Sequence, residues 1–306
     1  MSAAETRKFI EWKTVGMFWG IKSPDELDAL IDYIRIQIDG PLVCGSTDRD
    51  WLLLSKRRGG SGELPSGVKR LKMIVEVMHR KLGSVTVTVE PNHVDSVYRD
   101  AYYSCYSRHI ANTPRFTLRL SFFAGALDVK EFHEIEDDRL QAVYRGSLTM
   151  YPINGGIVGT TYLAPETMVE KKVRMRMAPF RADVFGRKLN VEAFPYRMQD
   201  AEMMTCAEVT VINLLDYYAA SYGDYASVLP SRLIELEEQE LYQRALPARG
   251  IPYARLSQVL GRLGFYPRLL SRRELSGSDP ALDGGFLMRR SLCWYVSSGI
   301  PVAVNV

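Results

Sequence analysis

A cysteine that opens a helix can act as a nucleophile, and the run Thr205-Cys206-Ala207-Glu208 sets one in that position. Its S/T-x-x-E spacing is that of a capping box, with Thr205 as N-cap and Cys206 as first helical residue. Backbone N–H groups and the positive end of the helix dipole stabilise a thiolate, the form that attacks a carbonyl carbon. Glu208 carries a charge in the same turn and opposes this if it faces the sulfur. Gln199 stands seven positions earlier (206 − 199 = 7), and its amide can donate hydrogen bonds across the helix start. A glutamine amide and the nucleophile's own N–H form a workable donor pair for a tetrahedral oxyanion. A cysteine in a first turn is more often a small buried residue, so the weight rests on the combination.

Other candidates carry less. The stretch from Lys56 to Arg70 follows a strand and opens a helix, and Gly62 and Gly67 have the two-glycine interval of a phosphate loop. Val68 occupies the lysine position and Lys69 is displaced by one, so a basic loop is the better reading. His133-Glu134-Ile135-Glu136-Asp137-Asp138 lacks the second histidine of a helical zinc site and reads as a solvated acidic turn. Arg272-Arg273 and Arg289-Arg290 read as exposed charges. Cys44, Cys105, Cys206 and Cys293 stand too far apart for a CxxC pair, and all four are expected as free thiols.

The elements that must position these residues change character along the chain. Val15 to Ile21 reads as a strand, and Ser23-Pro24-Asp25-Glu26 starts a helix to about Ile38. A helix from near Pro65 to Gly83 and the alternating strand from Ser84 to Val89 repeat the pattern, so this half reads as α/β. Tyr98, Tyr102 and Tyr106 recur every four residues in a helix expected over 95–107, with Asp95 one turn before Arg99; such a stripe normally fills a core. Strands are expected at 115–123, 143–151 and 173–177, with a turn at Asn154-Gly155-Gly156. From about Val191 one short strand gives way to helices, at 205–218, 252–263 and 288–298, before the apolar run from Ile300 to Val306.

Length and composition set the frame. A chain of 306 residues suggests two domains. An apolar share of 46% with 25% charged residues is that of a folded globular protein, which sets aside disorder and fibrous repeats. Lys+Arg exceeds Asp+Glu by 39 − 36 = 3, too little to call for nucleic acid. The N-terminal residues lack the apolar core of a signal peptide, and no stretch reaches the length of a membrane span, so the expected location is the cytoplasm.

Phe194-Pro195-Tyr196-Arg197-Met198-Gln199-Asp200, followed by Thr205-Cys206-Ala207-Glu208 and an apolar helix, resembles the start of papain-like cysteine peptidases of the bacteriocin-leader-cleaving, double-glycine type and their bacterial relatives. Leu246 to Gly250, Leu263-Gly264-Phe265 and Tyr295 to Val302 are similar to the segments that separate cysteine from histidine in that family. The resemblance covers about 110 residues and implies Cys206 as nucleophile, Gln199 as oxyanion donor, and a histidine base with an Asp or Asn orienter on later strands. Here the sequence departs from the pattern, because His79, His93, His109 and His133 all precede Cys206. Ala207 also replaces a glycine common in relatives.

Either the chain is a fragment that stops before its histidine, or the base has been lost; the bare apolar ending at Val306 favours the fragment. The expected protein is α+β: an N-terminal α/β domain over 1–186, then a papain-like domain over 187–306 truncated before its histidine strand. Its expected activity is hydrolysis of peptide or amide bonds through Cys206, silent in this fragment, with no metal or organic cofactor and a peptide or protein as substrate. The alternative is a non-catalytic papain-like module that binds a peptide or protein partner.

Overall fold

A computed structural model of the chain describes residues 17–39, 64–108, 113–167, 175–200, 202–238, 252–271 and 284–304. The chain forms two compact units, one of Met1–Glu170 with Pro179–Asp200 and one of Lys171–Ala178 with Ala201–Val306.

The first unit is built on a five-stranded sheet in chain order, β1 (Met17–Ile21), β2 (Val85–His93), β3 (Thr117–Ala124), β4 (Tyr144–Tyr151) and β5 (Ile157–Leu163). Every neighbouring pair is antiparallel. Strand and helix alternate as the sequence implies, but with every pairing antiparallel the unit is α+β and not the α/β domain expected for this half. Among the described residues, α1 (Pro24–Asp39) and α2 (Ser66–Leu82) stand between β1 and β2.

Local chemistry sets the helix ends. Ser23 and Glu26 form the reciprocal cap of α1: the Ser23 backbone N–H donates to the Glu26 carboxylate at 2.9 Å, and the Glu26 N–H to the Ser23 hydroxyl at 3.4 Å. Gly83 ends α2 at φ 73. Asn154, Gly155 and Gly156 all take positive φ in the β4–β5 turn, as their types predict. Gly67 has a packing role: a Cβ there would run into the Gly156 carbonyl.

One face of the sheet, with Val85, Val87, Val89, Leu118, Leu120, Phe122, Leu148, Met150 and Val158, packs against the apolar stripes of α1 and α2. The other face bears Thr86, Thr88, Ser121, Ser147 and Thr149, all buried. Over chain positions 129–193 come α4 (Val129–Glu134), α5 (Asp137–Val143) and a hairpin of β6 (Ala178–Val184) and β7 (Arg187–Ala193). Gln141 clamps β7, accepting from the Asn190 N–H and donating to the Asn190 carbonyl, each at 2.8 Å. The short helices α4 and α5 enclose the His133 to Asp138 stretch, which is exposed as expected except for Ile135, itself half-buried.

Two expectations in this half change in detail. The tyrosine helix α3 (Ser96–Ser104) stops early and passes Tyr106 into a 3-10 turn at Tyr106–Arg108. Of the expected strand at 173–177, residues 173 and 174 lie outside the described residues; 175–177 have no strand structure, and β6 begins at Ala178.

The described part of the second unit consists of α6 (Cys206–Ser221), α7 (Pro230–Glu238), α8 (Tyr253–Arg262) and α9 (Gly284–Ser297). Val209, Ile212 and Leu215 are buried on α6 as their spacing predicts. Tyr217, not Tyr218, continues the buried face. The apolar run expected as a final strand has no strand pairing over 300–304, and Pro301 has no N–H to give to a ladder. The described residues of this unit thus do not show the papain-like domain expected over 187–306.

Candidate functional site

Cys206 is the first residue of α6, in the position its sequence context predicts. Thr205 caps the helix in extended geometry at φ −85 and ψ 178, and its carbonyl accepts the Val209 N–H at 3.1 Å. Glu208 reaches back to accept the Thr205 backbone N–H at 2.9 Å and also takes the Thr205 hydroxyl. That carboxylate is 1% exposed, whereas Cys206 is exposed. Positions i and i+2 of a helix do not face each other, so the charge that opposed a thiolate is committed to the cap and directed elsewhere. The Cys206 carbonyl is taken by the Thr210 hydroxyl at 2.7 Å. The sulfur thus sits on solvent at the positive end of a 16-residue helix.

Gln199 belongs to the first unit and is also exposed. It lies on a segment that runs antiparallel to the free edge of β5. Tyr196 and Thr161 exchange backbone hydrogen bonds at 3.1 and 3.0 Å, and the Met198 N–H donates to the Val158 carbonyl at 2.9 Å. Arg197 and Asp200 are buried at 4% and 3% exposure, while Tyr196 and Gln199 are exposed.

What fixes this segment is a buried polar network that sequence reasoning missed. The Tyr106 hydroxyl donates to the Asp200 carboxylate, and the Asn154 amide donates to the Asp200 carbonyl at 3.2 Å. Arg197 donates through Nε to the Thr160 hydroxyl at 3.2 Å, which lies 3.1 Å from the Tyr151 hydroxyl. Tyr151 donates in turn to Asp95 at 3.0 Å, and Asp95 caps α3 by accepting the Tyr98 N–H at 2.8 Å. The sequence placed Asp95 as a partner for Arg99; it serves instead as N-cap and network acceptor. Gly159 makes room for the Tyr151 ring, which would collide with any Cβ there. Burial pushes the Tyr98, Tyr106 and Tyr151 phenols far above their usual range, so all three stay neutral donors. The expected tyrosine stripe is thus core at Tyr98 and Tyr106, with Tyr102 half-buried. The one available signal was the four-residue spacing; partners up to 94 positions apart leave no local trace.

Three of the four histidines are described, and all lie in the first unit: His79 on α2, His93 at the end of β2 and His133 on α4. His109 lies outside the described residues. Burial, helped by the Arg119 guanidinium and opposed by Asp95, lowers His93 to about 4. Cys105 is buried, Cys206 and Cys293 are exposed, and all three are free thiols; Cys44 lies outside the described residues. The greater part of the basic loop, 56–63, and Arg272-Arg273 also lie outside them, while Arg289 and Arg290 are exposed and Arg290 stacks over Trp294 at 4.4 Å. Among the described residues no group of acidic, cysteine and histidine side chains could hold a metal ion, and no helix is long and apolar enough to cross a membrane.

Comparison with models of known protein families, with curated proteins and with solved structures finds no match for this chain.

Proposed function

We propose that the second unit carries the nucleophile of a cysteine-peptidase-like hydrolase that acts on peptide or amide bonds through Cys206, in keeping with the resemblance to papain-like, leader-cleaving peptidases. One observation carries this reading: the sulfur is solvent-exposed at the first position of α6, with the Glu208 charge locked onto Thr205. In such a reaction the Cys206 thiolate attacks the carbonyl carbon, and the developing oxyanion takes hydrogen bonds from the backbone N–H groups of the helix N-terminus; the resemblance to the peptidase family gives Gln199 the part of a further donor. Collapse of that intermediate breaks the C–N bond, the amine leaves with a proton, and water then hydrolyses the thioester. The substrate is a peptide or protein, and no metal or organic cofactor takes part.

A second reading has its own observation. The segments of the second unit, Lys171–Ala178 and Ala201–Val306, contain no histidine to move the proton. A non-catalytic module of the same ancestry that binds a peptide or protein partner meets that fact directly.

Cys293 supplies an internal control, since it is also exposed and free. At neutral pH, iodoacetamide labelling read by peptide mass spectrometry should modify Cys206 at least about tenfold faster than Cys293, given a helix-terminal thiol. Cys206→Ala should remove that fast site and any peptide cleavage. Equal rates at the two thiols would end the hydrolase reading and leave the binding module.

A further inference from the structure

The hydroxyl-bearing face of the sheet holds a cluster that the Cys206 chemistry does not use. Across the strands in register, one row reads Phe18, Thr88, Ser121, Ser147 and Tyr162. Aromatic rings close both ends, and three short hydroxyl side chains fill the middle. The flanking rows are bulky, with Phe123 and Tyr144 on one side and Glu90 and Arg119 on the other. The covering layer grips the rim: Phe132 and Phe185 pack on Phe18 at 5.2 and 5.6 Å between ring centres, and Phe180 stacks on Tyr162 at 4.0 Å. The side chains that the hairpin buries, Phe180, Val184, Leu189 and Val191, are apolar and offer a hydroxyl nothing to bond.

The outer threonine hydroxyls of this face are satisfied. Thr86 donates to the Gly125 carbonyl at 2.9 Å and accepts the Leu127 N–H at 2.8 Å, and Thr149 donates to the Thr160 carbonyl at 3.2 Å. At the centre the pattern fails. Thr88 and Ser121, directly opposite one another and both 0% exposed, have hydroxyl oxygens with no hydrogen-bond partner among the described residues. Buried hydroxyls are rarely left so, because each gives up water without replacement.

We propose that this recess is a built-in binding site for a small neutral hydrogen-bonding guest, ordered water, bridging the Thr88 and Ser121 hydroxyls. Both hydroxyls can donate and accept, so the guest must do both, and water is the smallest molecule that does. Charge gives an ion no hold there: the Arg119 guanidinium is matched two-to-two by the Glu90 carboxylate at 2.7 and 2.8 Å, and burial keeps the Tyr144 phenol neutral, pushed up to about 12.

The test compares Thr88→Val, which keeps the shape and removes the hydroxyl, with Thr88→Ser, which keeps the hydroxyl. If water bridges the pair, Thr88→Val melts lower by roughly 2–6 °C, Ser121→Ala does the same, and the double variant loses less than the sum. Water-to-amide NOE signals at Thr88 and Ser121 in the unaltered protein report the guest directly, whether or not each variant folds. A Thr88→Val protein that melts higher than the parent, or amides with no water NOE, would show a dry recess and overturn the proposal.

Discussion

The first unit closes both faces of its sheet, whereas in the described part of the second Phe286 and Trp294 on α9 and Tyr266 beyond α8 stand at 56, 58 and 97% exposure. Polar groups divide in a related way. In the first unit Tyr106, Tyr151, Asp95 and Asp200 are buried and bonded to one another, and in the second the side chain of greatest chemical interest, Cys206, faces solvent. The first unit holds its polar groups at depth, and the second leaves a thiol exposed at the end of a helix.

That contrast breaks most readily in the core. Phe122 is fully buried among the valines of β2 and the helices over them, so Phe122→Ala should cost about 3–5 kcal/mol. Trp294→Ala on exposed α9 should cost no more than about 0.5 kcal/mol. Because two units need not unfold together, hydrogen exchange read by mass spectrometry is the right measure, with β2 to β4 amides losing protection only in the first variant. Comparable losses in both would mean that α9 is as deeply engaged as the sheet.

A smaller effect sharpens the role of the buried network. Tyr106→Phe removes the hydroxyl that donates to Asp200 and leaves a buried carboxylate short of a donor. A loss of about 1.5–3 kcal/mol is expected, the range for a hydrogen bond to a charged group. Denaturant midpoints would show it, together with faster proteolysis between Phe194 and Asp200. A loss confined to α3, with the 194–200 segment untouched, would show that Tyr106 does not hold the strand that carries Gln199.

The smallest expected effect is a pH slope. His93 titrates near 4 in the folded chain, below the free imidazole value of about 6.5. Between those values the unfolded chain binds the extra proton, so stability is complete above about pH 6.5, declines as pH falls towards 4, and takes no further loss from this group below that. His93→Asn should flatten that part of the curve when denaturant midpoints at about pH 7 and about pH 5 are compared. Equal slopes in parent and variant would locate the acid sensitivity elsewhere.

Local rules made much of this molecule legible. Ser23 with Glu26 and Thr205 with Glu208 announce two helix starts, Gly83 announces a stop, and Asn154-Gly155-Gly156 announces a turn, because capping and positive φ act over four residues or fewer. The position of Cys206 followed from the same rules. Strand direction did not, since the alternation of strands and helices does not say which way two strands will pair. The final apolar run has the composition of a strand, yet composition cannot supply the neighbour whose backbone a strand must bond. Asp95 was assigned to Arg99 one turn away, when tertiary packing gave it Tyr151, 56 positions on. Sequence determined which residues could cap, turn or attack. Only the folded chain decided which buried oxygens met, because a hydrogen bond between distant residues depends on where two strands come to lie and not on what stands between them.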